Sequence, residues 1–305
     1  VNIDLPTAVY GQPPRDVVET PAGAMQLSPL VPGSSALEDL PDGSLSAVVI
    51  LAPPGTVERR YVIAQALRAL APEGRLTVAA MKDRGGSRLR KELEAFGCPG
   101  VEDARRHHRI LTCRRPAAPV GLEAAIADGA PRLHEGLGLW TWPGVFSWDR
   151  IDPGSALLVQ KLPPMAGKGA DLGAGIGFLA HAILASPKVE SLALVDLDRR
   201  AVETARRNIT DPRVSFQWAD VRSTGIEAGS LDFVVMNPPF HDGGAEDRLL
   251  GQTFIRQAAI MLRRGGLLWV VANRHLPYEA VLAELFRTAT PQGDTGAYKV
   301  FEARK

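Results

Sequence analysis

The chain has 305 residues, an ordinary apolar fraction and a formal net charge of +1. That length suits about two domains, and with no overall basic excess any nucleic-acid surface must be local. No apolar run reaches the ~18 residues of a membrane span, and the start VNIDLPTAVYGQPP lacks the basic end and apolar core of a secretory signal. Cys98 and Cys113 stand apart from any Cys/His cluster, which suits a reduced, cytoplasmic chain and gives no metal site.

Residues 1–40 are rich in Pro and Gly and carry no clear periodicity, so their structure is left open. The run Ala47 to Ala52 (AVVILA) reads as a buried strand closed by Pro53-Pro54. A helix is predicted over Val57–Leu70, a break at Pro72-Glu73-Gly74, a strand over Arg75–Ala80 and a helix over Ser87–Phe96. Strands alternating with helices point to an α/β fold with a parallel sheet. The later stretch Gly229-Ser230-Leu231-Asp232-Phe233-Val234-Val235, followed by Pro238-Pro239, echoes Gly43-Ser44-Leu45-Ser46-Ala47-Val48-Val49 with Pro53-Pro54. A helix, a glycine break and an apolar strand follow each (RLTVAA; LLWVVA). The chain therefore reads as one Rossmann-like fold in tandem, residues 1–125 and 131–305, with the boundary between Pro116 and Pro131.

Asp171-Leu172-Gly173-Ala174-Gly175-Ile176-Gly177 precedes an apolar helical stretch, Phe178 to Ala185. Glycines so spaced let a backbone turn tightly and approach a ligand at a helix N-terminus, although the GxGxxG of dinucleotide folds is broken by Phe178. A second strand, Ser191–Val195, ends in Asp196, whose carboxylate can accept ribose hydroxyls; a third, Val214–Trp218, is followed by Asp220-Val221, where an adenine amine can be read. Asp196 and Asp220 also suit plain helix caps. A fourth strand, Leu231–Met236, ends in Asn237-Pro238-Pro239-Phe240. The prolines make that corner rigid. It offers an amide (Asn237), the Pro238 carbonyl and a ring (Phe240) to a planar base with an exocyclic amine; alternatively, Phe240 fills core behind a simple turn. His241 and Asp242 form either a turn or a wall of the base pocket. In the first copy Ala52 and Gly55 replace Asn237 and Phe240, and the nearest glycines upstream, Gly23 and Gly33, begin no apolar helix. That copy reads as chemically silent.

Taken together, these residues resemble a class I S-adenosylmethionine-dependent methyltransferase. More narrowly, Pro143-Gly144-Val145-Phe146-Ser147, Asp152 with Gly154-Ser155, Asn237-Pro238-Pro239-Phe240-His241-Asp242-Gly243, Val271-Ala272-Asn273 with Leu276-Pro277-Tyr278, and Thr295-Gly296 with Lys299-Val300 are similar to the ribosomal RNA small subunit methyltransferase C family. The resemblance covers nearly all of residues 133–305; over residues 1–120 it rests mainly on the tandem plan. Where relatives often carry Gly-Cys-Gly this chain has Gly173-Ala174-Gly175.

The resemblance implies methyl transfer to a guanine N2 in ribosomal RNA, most readily that of the small subunit, by a monomeric enzyme. Asn237, Pro238 and Phe240 would hold the base. Phe146, Ser147, Asp171, Gly173, Gly175, Asp196, Asp220, Val221 and Asn237 would bind S-adenosylmethionine. Lys82, Arg84, Arg88, Arg90, Lys91, Arg105, Arg106, His107, His108, Arg109, Arg114 and Arg115 are candidates for phosphate, against the plainer reading of a solvated face. A sister family acts on large-subunit RNA with the same motifs. A protein glutamine amide also suits an Asn-Pro-Pro-aromatic corner, and a non-catalytic ribosome-assembly factor could keep the fold.

Overall fold

The computed structural model describes residues 5–239, 241–242, 245–246 and 248–305, and its contacts divide into two compact units, Val1–Pro131 and Arg132–Lys305. In chain order the first unit holds β1 (Thr7–Tyr10), β2 (Met25–Gln26), β3 (Leu45–Leu51), α1 (Thr56–Ala69), β4 (Leu70–Met81), α2 (Leu89–Ala95), β5 (Val101–Arg105), β6 (His108–Arg114) and α3 (Leu122–Gly129). Its sheet has the order β2-β1-β3-β4-β6-β5. A boundary at residue 125 would cut α3. That helix packs on α1 so closely that a Cβ on Gly129 would lie 2.3 Å from the Tyr61 side chain, which places it in the first unit.

The second unit contains β7 (Arg132–His134), β8 (Leu139–Thr141), α4 (Pro153–Lys161), β9 (Gly167–Leu172), α5 (Phe178–Leu184), β10 (Val189–Asp196), α6 (Arg199–Asn208), β11 (Val214–Trp218), β12 (Leu231–Met236), β13 (His241–Asp242), β14 (Ala245–Glu246), α7 (Arg248–Met261), β15 (Leu262–Asn273), α8 (Tyr278–Leu285), β16 (Thr288–Asp294) and β17 (Tyr298–Arg304). Its main sheet runs β11-β10-β9-β12-β15-β17-β16, parallel except where β17 inserts antiparallel to β15 and β16. Period-two alternation splits β12 between two cores. Val234 and Met236 face a cluster with Phe254 and Ile255 of α7, while Phe233 and Val235 face one with Leu158 of α4 and Leu179 of α5. Gly169 is required in β9 because a Cβ there would lie 2.1 Å from the Phe233 ring. After β9 the chain crosses to one side, to β10, and β12 lies on its other flank. The β9–β12 seam is therefore the switch point, outside whose strand ends such sheets bind ligands.

The two sheets share a structural irregularity. In the first, Leu45 pairs with Leu70 and then Ala47 with Arg75; in the second, Leu231 pairs with Leu262 and then Phe233 with Leu267. The glycine in each bulge is equivalently crowded. A Cβ on Gly74 would meet the Ala71 carbonyl at 2.8 Å and the Ser46 carbonyl at 3.2 Å; on Gly266 it would meet the Arg263 and Asp232 carbonyls at 2.9 and 3.2 Å. Counting from this bulge, Leu51, not Ala52, stands opposite Asn237. The first copy's strand continues one residue further before its prolines.

Candidate functional site

The loop after β9 is built from glycines that adopt left-handed backbone, with φ of 77° at Gly173, 54° at Gly175 and 86° at Gly177. This conformation is strained for any side chain carrying a Cβ. Backbone donors from Gly173 and Ala174 reach the Val195 carbonyl, which pins the loop across the end of β10. Among the described residues a Cβ on Gly175 would meet nothing within 4 Å, so this face of the loop is open to them.

Two carboxylates lie beneath and beside the loop. Asp171 pairs with Leu194 on one side and Val235 on the other; it is wholly buried, and neither carboxylate oxygen has a hydrogen-bond partner among the described residues. Burial, helped by the charge of Asp196, pushes its pKa up to about 8. Burial also raises Asp196, to about 6, while backbone donors, that of Asp198 foremost, oppose the rise. Its carboxylate accepts from Gly175 N and Asp198 N, both at 2.8 Å. A buried acid with no partner is costly unless something cationic or hydrogen-bonding completes it.

At the neighbouring strand end, Asn237 follows β12 directly. Its side-chain Nδ2 donates to Asp152 Oδ2 at 2.9 Å and to Ser155 Oγ at 2.8 Å. Asp152 is the N-cap of α4, accepting from Ser155 N at 2.7 Å, with Pro153 in the first turn. This is a favourable helix start on both counts. Gly154 permits the close approach, since a Cβ there would meet Asp152 Oδ2 at 3.0 Å and the Tyr298 ring at 2.9 Å.

These parts open into one pocket whose walls include Phe146, Ser147, Asp152, Ser155, Gly173, Gly175 and Asn237, together with Leu139, Arg150 and Ile151. Phe146 is exposed at its mouth. Ser147 has φ of 58°, uncommon for a residue with a side chain, and its hydroxyl donates to the Arg150 carbonyl. The structure thus brings Phe146, Ser147, Gly173, Gly175 and Asn237 together. Asp171 and Asp196 underlie the glycine loop without forming the wall. Asp220 and Val221 lie past β11: Asp220 caps a short 3-10 turn and is held low in pKa by its hydrogen bond from Arg222, while Val221 is buried. Pro238 is buried behind the corner. Phe240 lies outside the described residues, as do the side chains of His241 and Asp242. Missed as direct partners of Asn237 were Asp152 and Ser155, although Asp-Pro-x-Ser is a readable helix start.

The sequence profile of the methyltransferase small domain family matches residues 136–302. The ribosomal RNA small subunit methyltransferase C of Pseudomonas paraeruginosa is 31% identical, covering 98% of this chain and 95% of its own. That of Shewanella halifaxensis is 32% identical over 85% and 77% respectively. Among solved structures, the T. thermophilus 16S rRNA N2 methyltransferase in complex with AdoMet and guanosine is similar with a TM-score of 0.74 and 27% identity, covering 89% of this chain and 76% of that one.

Proposed function

Because this chain belongs to the ribosomal RNA small subunit methyltransferase C family, we propose that it transfers a methyl group from S-adenosylmethionine to the N2 amine of a guanine in small-subunit ribosomal RNA. The observation that carries this reading is the meeting of Asn237 with Gly173 and Gly175 in one pocket. The cofactor supplies a methyl group on a sulfonium, an electrophile. Fit to a cationic ligand is supported by Asp171, a buried acid whose two oxygens lack partners among the described residues, and by the open face of Gly175. Asp196 and the backbone of the glycine loop would hold the remainder, with Phe146 and Ser147 closing the mouth.

Guanine N2 is a weak nucleophile because its lone pair is delocalised into the ring. The Asn237 side-chain oxygen and the Pro238 carbonyl accept the two N–H groups of that amine. They thereby orient the lone pair and stabilise the positive charge that develops on nitrogen. The proton leaves after transfer, so no general base of matched pKa is needed.

The first unit serves to position the RNA. Its loop after β4 and the β5–β6 turn adjoin, with Lys82 N donating to the His107 carbonyl, and Lys82, Arg88, Arg106 and His107 are exposed there. Arg90, Arg105, Arg106 and Arg109 each pair with a carboxylate, so Lys82 and Arg88 are the stronger phosphate candidates. Among the described residues no helix is long and apolar enough to cross a membrane. The test is transfer of labelled methyl into purified small subunits, large subunits and protein-free RNA. Label at a guanine N2 of small-subunit RNA is expected; label confined to large-subunit RNA or to protein would refute the reading.

A further inference from the structure

Asparagine is an ambiguous tool for holding an amine. Its amide ends in one acceptor and two donors of almost the same shape, and only the acceptor can take an N–H from the substrate. In this protein both donors of Asn237 are occupied, one by Asp152 Oδ2 at 2.9 Å and one by Ser155 Oγ at 2.8 Å. A flipped amide would set its oxygen against the Asp152 carboxylate, acceptor against acceptor. The same carboxylate oxygen accepts from Ser155 N at 2.7 Å, so it is itself anchored to the first turn of α4, and Ser155 is buried.

We infer that Asp152 and Ser155 are positioning residues for methyl transfer, fixing the polarity of Asn237 so that its oxygen faces the acceptor amine. The inference rests on the reading of Asn237 as the group that receives the N–H of guanine N2. Helix α4 thereby becomes part of the site: its N-cap serves both the helix and the catalytic corner. The closeness of Gly154 to Tyr298 and to Asp152 holds the cap at the distance the corner requires.

Substitutions that keep the helix cap but shorten its reach separate the two roles. Asp152→Ser retains a capping hydroxyl yet leaves Asn237 without the carboxylate, and combined with Ser155→Ala it frees both amide donors. The double variant is expected to lose tenfold to a hundredfold in kcat while KM and Kd for S-adenosylmethionine stay within about threefold and melting within a few degrees. Asp152→Asn keeps an acceptor oxygen in place and should retain most activity, which a requirement for the negative charge itself would not allow.

The decisive measurement is the Asp152→Ser/Ser155→Ala double variant, read beside Asn237→Asp, which sets two carboxylates against each other and should be nearly inactive. Full kcat in Asp152→Ser/Ser155→Ala, or near-normal kcat in Asn237→Asp, overturns the positioning role even when the wild type methylates guanine N2. A wild type that leaves guanine N2 unmodified fails the underlying reading of the site, and the inference with it.

Discussion

Replacing Asp171 with Asn tests how the cofactor site is poised. Asp171 is wholly buried, lacks hydrogen-bond partners among the described residues and has its pKa raised from 3.8 to about 8, chiefly by burial. A raised folded-state pKa in an acid means that the folded protein binds the proton more tightly than the unfolded chain. The contribution of Asp171 to the stability of the ligand-free protein is therefore fully present at and below about pH 4, is lost as pH rises through the window to about 8, and is flat above it. Each pKa unit corresponds to about 1.4 kcal/mol, so the shift sets a ceiling on the order of 5 kcal/mol; relaxation of the glycine loop reduces this to a few. Asn is neutral and nearly isosteric. At pH 8.5 the ligand-free variant should melt higher than the wild type by roughly 5–10 °C, converting a few kcal/mol at the usual ~2–4 °C each for a unit of this size. Near pH 5 the two should converge. Melting curves at half-unit steps of pH decide it, and calorimetry in buffers of different ionisation enthalpy adds a second readout, since a cationic ligand that ionises Asp171 must release a proton on binding. Parallel pH dependence in variant and wild type would refute the reasoning.

Asn237→Ala should abolish methyl transfer while leaving cofactor affinity within a few fold, measured by a methylation assay and calorimetry on the same preparation. Asp196→Ala should weaken cofactor binding tenfold to more than a hundredfold, the loss of a charge-assisted contact of about 1.5–3 kcal/mol; unchanged affinity would reduce Asp196 to its observed bonds with Gly175 and Asp198. Titration of the whole chain should give one cofactor per polypeptide, and residues 131–305 alone should keep that site while losing RNA affinity. Two equivalent sites, or undiminished RNA binding by the fragment, would sink this division.

What the sequence disclosed were features written in local chemistry. The Pro-Pro corners ended both strands, the glycine run marked the loop after β9, and Asp196 and Asn237 fell at strand ends. Strand β1 (Thr7–Tyr10) escaped because four residues carry too little alternation to identify. Its place is set by pairing with Leu45–Leu51, far along the chain. Helix α3 was hidden in an Ala- and Gly-rich stretch that reads as a linker; Gly129 is there for close packing on Tyr61, not for a turn. The partners of Asn237 come from residues about eighty positions earlier, a distance that periodicity cannot span. Solitary burial of Asp171 is likewise a property of three adjacent strands.

The shared register also shows which strand-end side chains differ between two copies of one fold. Thr7 pairs with Ala47 as Gly169 pairs with Phe233, so Val9 takes the place of Asp171 and Gly11 that of Gly173. Gly11, not Gly23 or Gly33, keeps the left-handed turn, with φ of 85° against 77°. Val9 pairs with Gln26 as Asp171 pairs with Leu194, which sets Ser28 opposite Asp196. Leu51 stands for Asn237, and a Cβ on Gly11 would touch its side chain at 3.0 Å. Each substitution removes a charge or an amide without disturbing a strand. Between β1 and β2 the first unit also has no helix among its described residues, so the N-terminal backbone donors that a ligand would meet in α5 have no counterpart. Both copies retain the apolar strand pairing and the bulge glycines. The strand-end positions at which the two copies differ, Asp171, Asp196 and Asn237, are those to which the proposed function assigns the ligand.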